Sequence, residues 1–124
     1  MKIYATTDTE QILDQFIGTD VWVLVNYLGS PDYIKILEKF NATADYGVSM
    51  YGKPTRYRIQ YMPYDFVNNP NQFTDYGRQG FIDGIVYECY RVKFIDLNQI
   101  TIYKPLQVLT TDEIIEAFTE VTDE

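Results

Sequence analysis

Apolar and polar positions recur along this chain with two different periods, and the changes of period mark out its elements. Thr55-Arg56-Tyr57-Arg58-Ile59-Gln60-Tyr61-Met62 is the clearest period-two segment. Tyr57, Ile59 and Tyr61 share one face of a strand there, and Arg56, Arg58 and Gln60 share the other. Gly52-Lys53-Pro54 marks a turn before it, so Gly47-Val48-Ser49-Met50-Tyr51 is expected to run antiparallel to it. Asp20 to Tyr27 is β-branched and aromatic without alternation, the pattern of a strand covered on both faces.

Two elements compete for 31–40. Ser30 and Pro31 can open a helix in which Tyr33, Ile36, Leu37 and Phe40 fall at helical spacing. Alternatively Gly29-Ser30-Pro31-Asp32 turns a hairpin and Tyr33–Phe40 is the returning strand. The hairpin is favoured, because the Val-rich strand before it needs an adjacent partner. Later, Ile85–Ile95 is expected to form a long strand, with a turn at Asp96-Leu97-Asn98-Gln99 and a return over Ile100–Tyr103 that Pro105 ends.

Both ends of the chain carry the 3.6-residue period. Thr7-Asp8-Thr9-Glu10 fits a capping box, followed by an apolar stripe of Ile12, Leu13, Phe16 and Ile17 and a stop at Gly18, giving a helix over 7–17. Thr110-Thr111-Asp112-Glu113 repeats the box ahead of Ile114, Ile115, Phe118 and Val121, giving a helix over 111–121. The stretch 63–84 differs from all of this. It holds Tyr64, Phe66, Phe73, Tyr76 and Phe81 with three glycines and two prolines, shows no sustained period, and is expected to be a long aromatic loop. The sum is an α+β fold in one domain over 1–124. Its expected core is an antiparallel β-meander or small partly open barrel of about five to six strands, with an N-terminal and a C-terminal helix.

Charge sharpens this picture. The net charge of −8 comes from 18 acidic and 10 basic side chains, spread unevenly. Residues 1–20 carry net −3, residues 21–110 net +1 and residues 111–124 net −6. The acidity thus belongs to the two ends of the chain, both expected to be helical, and carboxylates in a helix's first turn are favoured by its dipole. The whole-chain charge opposes direct nucleic-acid binding, although Arg56, Arg58, Arg91 and Lys93 stand among tyrosines. No segment has the length and apolarity of a membrane span or signal peptide, so a cytoplasmic chain with no membrane partner is expected.

Candidate chemistry is mostly struck off. With no histidine, neither a Ser–His–Asp triad nor a His-ligated metal site can be built, and the single Cys89 gives no disulfide within the chain. Cys89 is expected to be a small buried thiol. Gly77-Arg78-Gln79-Gly80 and Gly84 do not make a dinucleotide fingerprint, and Gly52-Lys53-Pro54 lacks the spacing and hydroxyl of a phosphate loop. No catalytic residue, metal or cofactor is expected.

The leading expectation is therefore a non-enzymatic protein-interaction module. It would bind a protein partner through Tyr64, Phe66, Phe73, Tyr76, Arg78 and Phe81 of the long loop. The alternative is an anti-defence inhibitor that imitates a nucleic-acid backbone with Asp8, Glu10, Asp14, Asp112, Glu113, Glu116 and Glu120, provided both helices lie on one side. A second alternative is a small-ligand-binding domain with a pocket between sheet and helix. The small, acidic, Tyr- and Asn-rich composition suits an accessory protein of a bacterium or of its phage or other mobile element.

Overall fold

The computed structural model describes residues 5–41, 54–89 and 91–119. Its chain order is α1 (Thr6–Gln15), β1 (Val21–Tyr27), β2 (Ser30–Phe40), β3 (Arg56–Pro63), α2 (Tyr64–Asn68), α3 (Asp75–Val86), β4 (Val92–Asp96), β5 (Ile100–Ile102), β6 (Val108–Thr110) and α4 (Thr111–Thr119). Single 3₁₀ turns cover Pro70–Gln72 and Leu97–Gln99. The fold is mixed α+β, with a six-stranded antiparallel sheet and helices at both ends of the described chain.

β1 and β2 form the favoured hairpin, but its turn lies earlier than the sequence suggests. Tyr27 pairs with Ser30, leaving Leu28 and Gly29 as a two-residue turn with φ of 49° and 91°. Left-handed backbone at both positions matches the right-handed twist of the flanking strands. The Asn26 carboxamide oxygen supports the turn by accepting from the Gly29 N–H at 2.8 Å. Ser30, Pro31 and Asp32 consequently belong to the strand. Pro31 stands one residue beyond the last pair with β3, Asp32 with Pro63, so its missing N–H costs no ladder bond on that side.

The strand order is β4-β3-β2-β1-β5, with β6 also pairing β1. β5 therefore does not return along β4 as the expected turn at 96–99 implied; it joins the opposite border of the sheet. Laid flat, five strands at about 4.8 Å spacing would put β4 and β5 roughly 19 Å apart. Only Leu97, Asn98 and Gln99 join them, in a 3₁₀ turn rising about 2 Å per residue. The sheet must therefore curl strongly, although it does not close.

The curl gives an inner and an outer face, each with its own apolar cluster. The inner cluster gathers Val23, Val25, Ile34, Ile36, Tyr57, Ile59, Ile95 and Ile102, and α1 covers it with Leu13, Ile12, Phe16 and Ile17. The outer cluster gathers Trp22, Leu24, Tyr33 and Met62 under Val67 of α2, Ile85 of α3 and Ile114 and Phe118 of α4. Both faces of β1 are covered, as its unbroken apolar run predicts. The second capping box forms as well: Thr110 Oγ1 accepts from the Glu113 N–H at 3.1 Å, and Glu113 Oε1 accepts from the Thr110 N–H at 3.0 Å. The first does not, because the N-cap of α1 is Ala5 and Thr7 lies inside the helix.

Two further expectations are corrected. Residues 63–84 are mostly helical, and Ile85–Val86 close α3 instead of opening a strand, so β4 begins only at Val92. Cys89, in the turn between them, is exposed. The expected strand at 47–51 lies outside the described residues. β3, the partner expected for it, already has β2 on one border and β4 on the other.

Candidate interaction surface

Local chemistry explains why the stretch after β3 folds into helices. Thr74 caps α3 by accepting from the Gly77 N–H at 3.1 Å, and Arg78, Phe81, Ile82 and Ile85 then fall on one side of the helix. That side faces the sheet. The buried Gln60 carboxamide donates to the Gly84 carbonyl at 3.0 Å, fixing the end of α3 to β3.

The six residues singled out from the sequence part into three groups. Phe66, Phe73 and Phe81 pack on one another, with ring centroids 4.8, 5.1 and 4.6 Å apart, and Phe73 and Phe81 both reach Phe118 of α4. Their rings fill the space between the helices and the sheet. Tyr64 stacks on Tyr33 of β2 at 6.0 Å, and Arg78 is buried, donating to the Phe73 carbonyl at 2.7 Å and pairing with Asp75. Tyr76 alone of the six points fully outward, at 91% exposure.

Tyr76 has a neighbour that the sequence reading missed. Tyr87, 76% exposed, follows eleven residues later, three helical turns on and so on the same side of α3 at roughly 16 Å. Gly80 lies between them with open space around it, and Gln79 donates to Asp83 at 2.9 Å along the same surface. Val86 at the end of the helix and Val92 and Phe94 of β4 extend the exposed apolar side chains onto the border of the sheet. Val92 sits beside Gln60, the residue that holds Gly84, so helix end and strand border adjoin. The spacing Tyr76–Gly80–Tyr87 was visible in the sequence, but only a helix makes it a surface.

The acidic residues do not form one surface. α1 packs on the inner cluster and α4 on the outer, so the two helices lie against opposite faces of the sheet. Lys39 draws Glu10 and Asp14 into ion pairs at 3.0 and 2.8 Å, and Tyr57 donates its hydroxyl to Asp14 at 3.0 Å. Asp8 is exposed, as are Asp112, Glu113 and Glu116 on α4, while Glu120 lies outside the described residues. The arginines of β3 are paired as well, Arg56 with Asp96 at 3.0 Å and Arg58 with Glu38 at 3.2 Å.

A separate polar cluster occupies one end of the inner face. Lys93 places its ammonium 3.9 Å from the Tyr27 ring centroid and 4.2 Å from that of Tyr61, and Arg91 lies over Tyr61 and Phe66. Burial raises the pKa of Asp32 nearby, against the pull of Lys93 and Arg91. On the outer face, Lys35 is buried between Asp20 and Glu88 at 3.6 and 3.7 Å.

Two open grooves border the stacked Tyr33–Tyr64 pair. One, of about 500 Å³, includes Tyr33, Val67 and Glu113, and the other, of about 320 Å³, includes Leu24, Tyr64 and Lys104. No described helix is long and apolar enough to cross a membrane. The fold and surface define a helix-covered, curled antiparallel sheet that displays an aromatic helix face. Comparisons with protein-family models, curated proteins and solved structures find no match to this chain.

Proposed function

We propose that this chain is a non-enzymatic protein-interaction module that docks a partner on the outward side of α3 and the adjoining border of β4. The observation that carries this reading is the pair Tyr76 and Tyr87, the two most exposed large hydrophobic side chains among the described residues, on one side of one helix. Tyrosine brings a large, stiff contact area with a polar tip, and is enriched at interfaces for that reason. The inner side of α3 is pinned by Phe81, Ile85 and the Gln60–Gly84 hydrogen bond, so docking would order little that is not already ordered.

On this reading the chain works in the cytoplasm as an accessory protein of a bacterium or of a phage or other mobile element. The support for that setting is compositional. The test is affinity capture with the wild type and with Tyr76→Ala/Tyr87→Ala, washed at low and at high salt. A partner kept at high salt by the wild type and lost by the double variant is the expected result. A partner that the double variant keeps, or that salt alone releases from the wild type, overturns the reading.

A further inference from the structure

β4 is the last strand on its side of the sheet, and β3 is its only strand neighbour among the described residues. The ladder between them fixes which backbone groups are used. Arg91 accepts from the Tyr61 N–H at 3.1 Å and Thr55 accepts from the Leu97 N–H at 2.8 Å. The bonded pairs therefore alternate as Tyr61–Arg91, Ile59–Lys93, Tyr57–Ile95 and Thr55–Leu97. The N–H and C=O groups of Val92, Phe94 and Asp96 point the other way, to the open border. Gln99 Oε1 takes the Asp96 N–H at 2.9 Å. Val92 and Phe94 each keep an N–H and a C=O that meet no partner among the described residues.

The side chains along this border agree with the backbone. Val92 and Phe94 are 36% and 53% exposed on the outer side, with Phe40 at 5.7 Å from the Phe94 ring. Proteins guard an open strand border with charges, prolines or bulges. The outer side of β4 carries one charge, Asp96, and Arg56 holds it. On the inner side Lys93 lies over Tyr27 and Tyr61 and has no ion pair among the described residues. A helix satisfies its own backbone and cannot use such groups, whereas an extended segment can.

We infer that β4 binds an extended segment of a partner protein as an added antiparallel strand. The inference rests on the interaction reading and names the form of the partner. Val92 and Phe94 exchange main-chain bonds with two residues of the segment. Those two are apolar, because their side chains fall on the outer side beside Val92 and Phe94. The residue between them is acidic, because it falls on the inner side opposite Lys93. A second copy of this chain fits less well. A net charge of −8 on each copy opposes the encounter, and two β4 strands paired about Phe94 would set Ile95, not a carboxylate, opposite Lys93.

Amide hydrogen exchange on the full chain, read residue by residue, tests this with the capped peptide Thr-Thr-Val-Glu-Val-Thr-Thr. In the free protein the Val92 and Phe94 amides should exchange faster than those of Lys93 and Ile95. Slow exchange at both means that a second copy or the chain itself already covers the border, and overturns the proposal. A dissociation constant of ~1 mM is expected, so the peptide at ~10 mM should slow Val92 and Phe94 about tenfold. N-methylation of both valines should abolish the effect, and N-methylation of the glutamate, whose N–H faces away, should not. No slowing at ~10 mM, or equal slowing by the methylvaline peptide, overturns the proposal. Replacing the glutamate by lysine should weaken binding about twofold or more, and equal binding overturns the acidic assignment. Phe94→Pro removes an N–H that β3 does not use and should abolish peptide protection of Val92. In affinity capture, a partner lost by Tyr76→Ala/Tyr87→Ala but kept by folded Phe94→Pro upholds the interaction reading and overturns strand addition.

Discussion

Tyr57 and Asp14 join the two sides of the inner core: the phenol of a fully buried strand residue donates at 3.0 Å to a carboxylate of the helix that covers it. Lys39 binds the same carboxylate from the end of β2, so one side chain of α1 answers both a hydroxyl and an ammonium. Asp14→Ala removes both bonds and leaves the Tyr57 hydroxyl with no acceptor there. It is expected to cost about 1.5–3 kcal/mol, more than Tyr57→Phe, which deletes a donor and leaves Lys39 paired. Chemical denaturation of both variants checks this, and equal losses would sink the argument.

Alkaline pH should unfold this protein partly through the same residue. Burial, then the hydrogen bond to Asp14 and the charges of Asp14 and Glu10, push the Tyr57 pKa far above its ordinary 10.0. Tyr33 moves in the same direction. Above pH ~10 the unfolded chain releases protons that the native chain keeps, so it binds fewer protons and stability falls as pH rises. Below that pH the contribution is whole. Denaturant midpoints at pH ~8 and ~11 should drop for the wild type, and drop less for Tyr57→Phe. A parallel decline in both would refute the assignment.

The aromatic segment after β3 offers a sharp contrast between two of its residues. Phe81 packs on three other phenylalanine rings, and Phe81→Ala is expected to cost about 2–4 kcal/mol. Tyr76→Ala should stay within about 0.5 kcal/mol of the wild type, because its side chain is almost wholly in solvent. If both variants lose the same stability, Tyr76 is not the surface residue described above.

Trp22, the single tryptophan, is fully buried and donates its indole N–H to Thr111 Oγ1 at 3.0 Å, at the first residue of α4. Thr111→Val keeps the shape and removes the acceptor. A loss of about 1–3 kcal/mol is expected, read from tryptophan fluorescence during denaturation. An unchanged midpoint would mean that the bond contributes nothing to docking α4.

Leu28 holds a left-handed backbone, with φ of 49°, and is largely exposed. Leucine is unfavourable there, whereas asparagine before glycine suits this turn. Leu28→Asn should therefore raise stability by about 0.5–1 kcal/mol in thermal or chemical unfolding. A destabilised variant would contradict the two-residue turn.

The sequence revealed the sheet better than the surface. β1 and β3 stood out because burial on two faces, or on alternate faces, writes itself into Val21–Val25 and Tyr57–Ile59 as period or its absence, whereas β2 read equally as helix spacing and was favoured as a strand only because β1 needs a partner. α3 was hidden because Gly77, Gly80 and Gly84 interrupt an otherwise helical stripe, and glycine weakens a helix unless tertiary contacts hold it. Those contacts, Gln60 to Gly84 above all, join residues 24 positions apart and leave no local trace. The β-branched run Ile85–Val86 and Val92–Ile95 looked continuous, yet a turn with left-handed Glu88 and Arg91 divides it. Of the candidate surface, Tyr76 was found from composition, while Tyr87, Val86, Val92 and Phe94 needed the fold.

β3 and β4 are neighbours in the sheet, yet 28 residues separate Pro63 from Val92 where two would suffice to turn the chain. The entropic cost of closing a connection grows only with the logarithm of its length, so such an insertion weighs lightly on stability. The helices it contains meet the sheet through one side and the solvent through the other. Substitutions on the solvent side can therefore change what the surface presents without touching the side chains that hold the strands together.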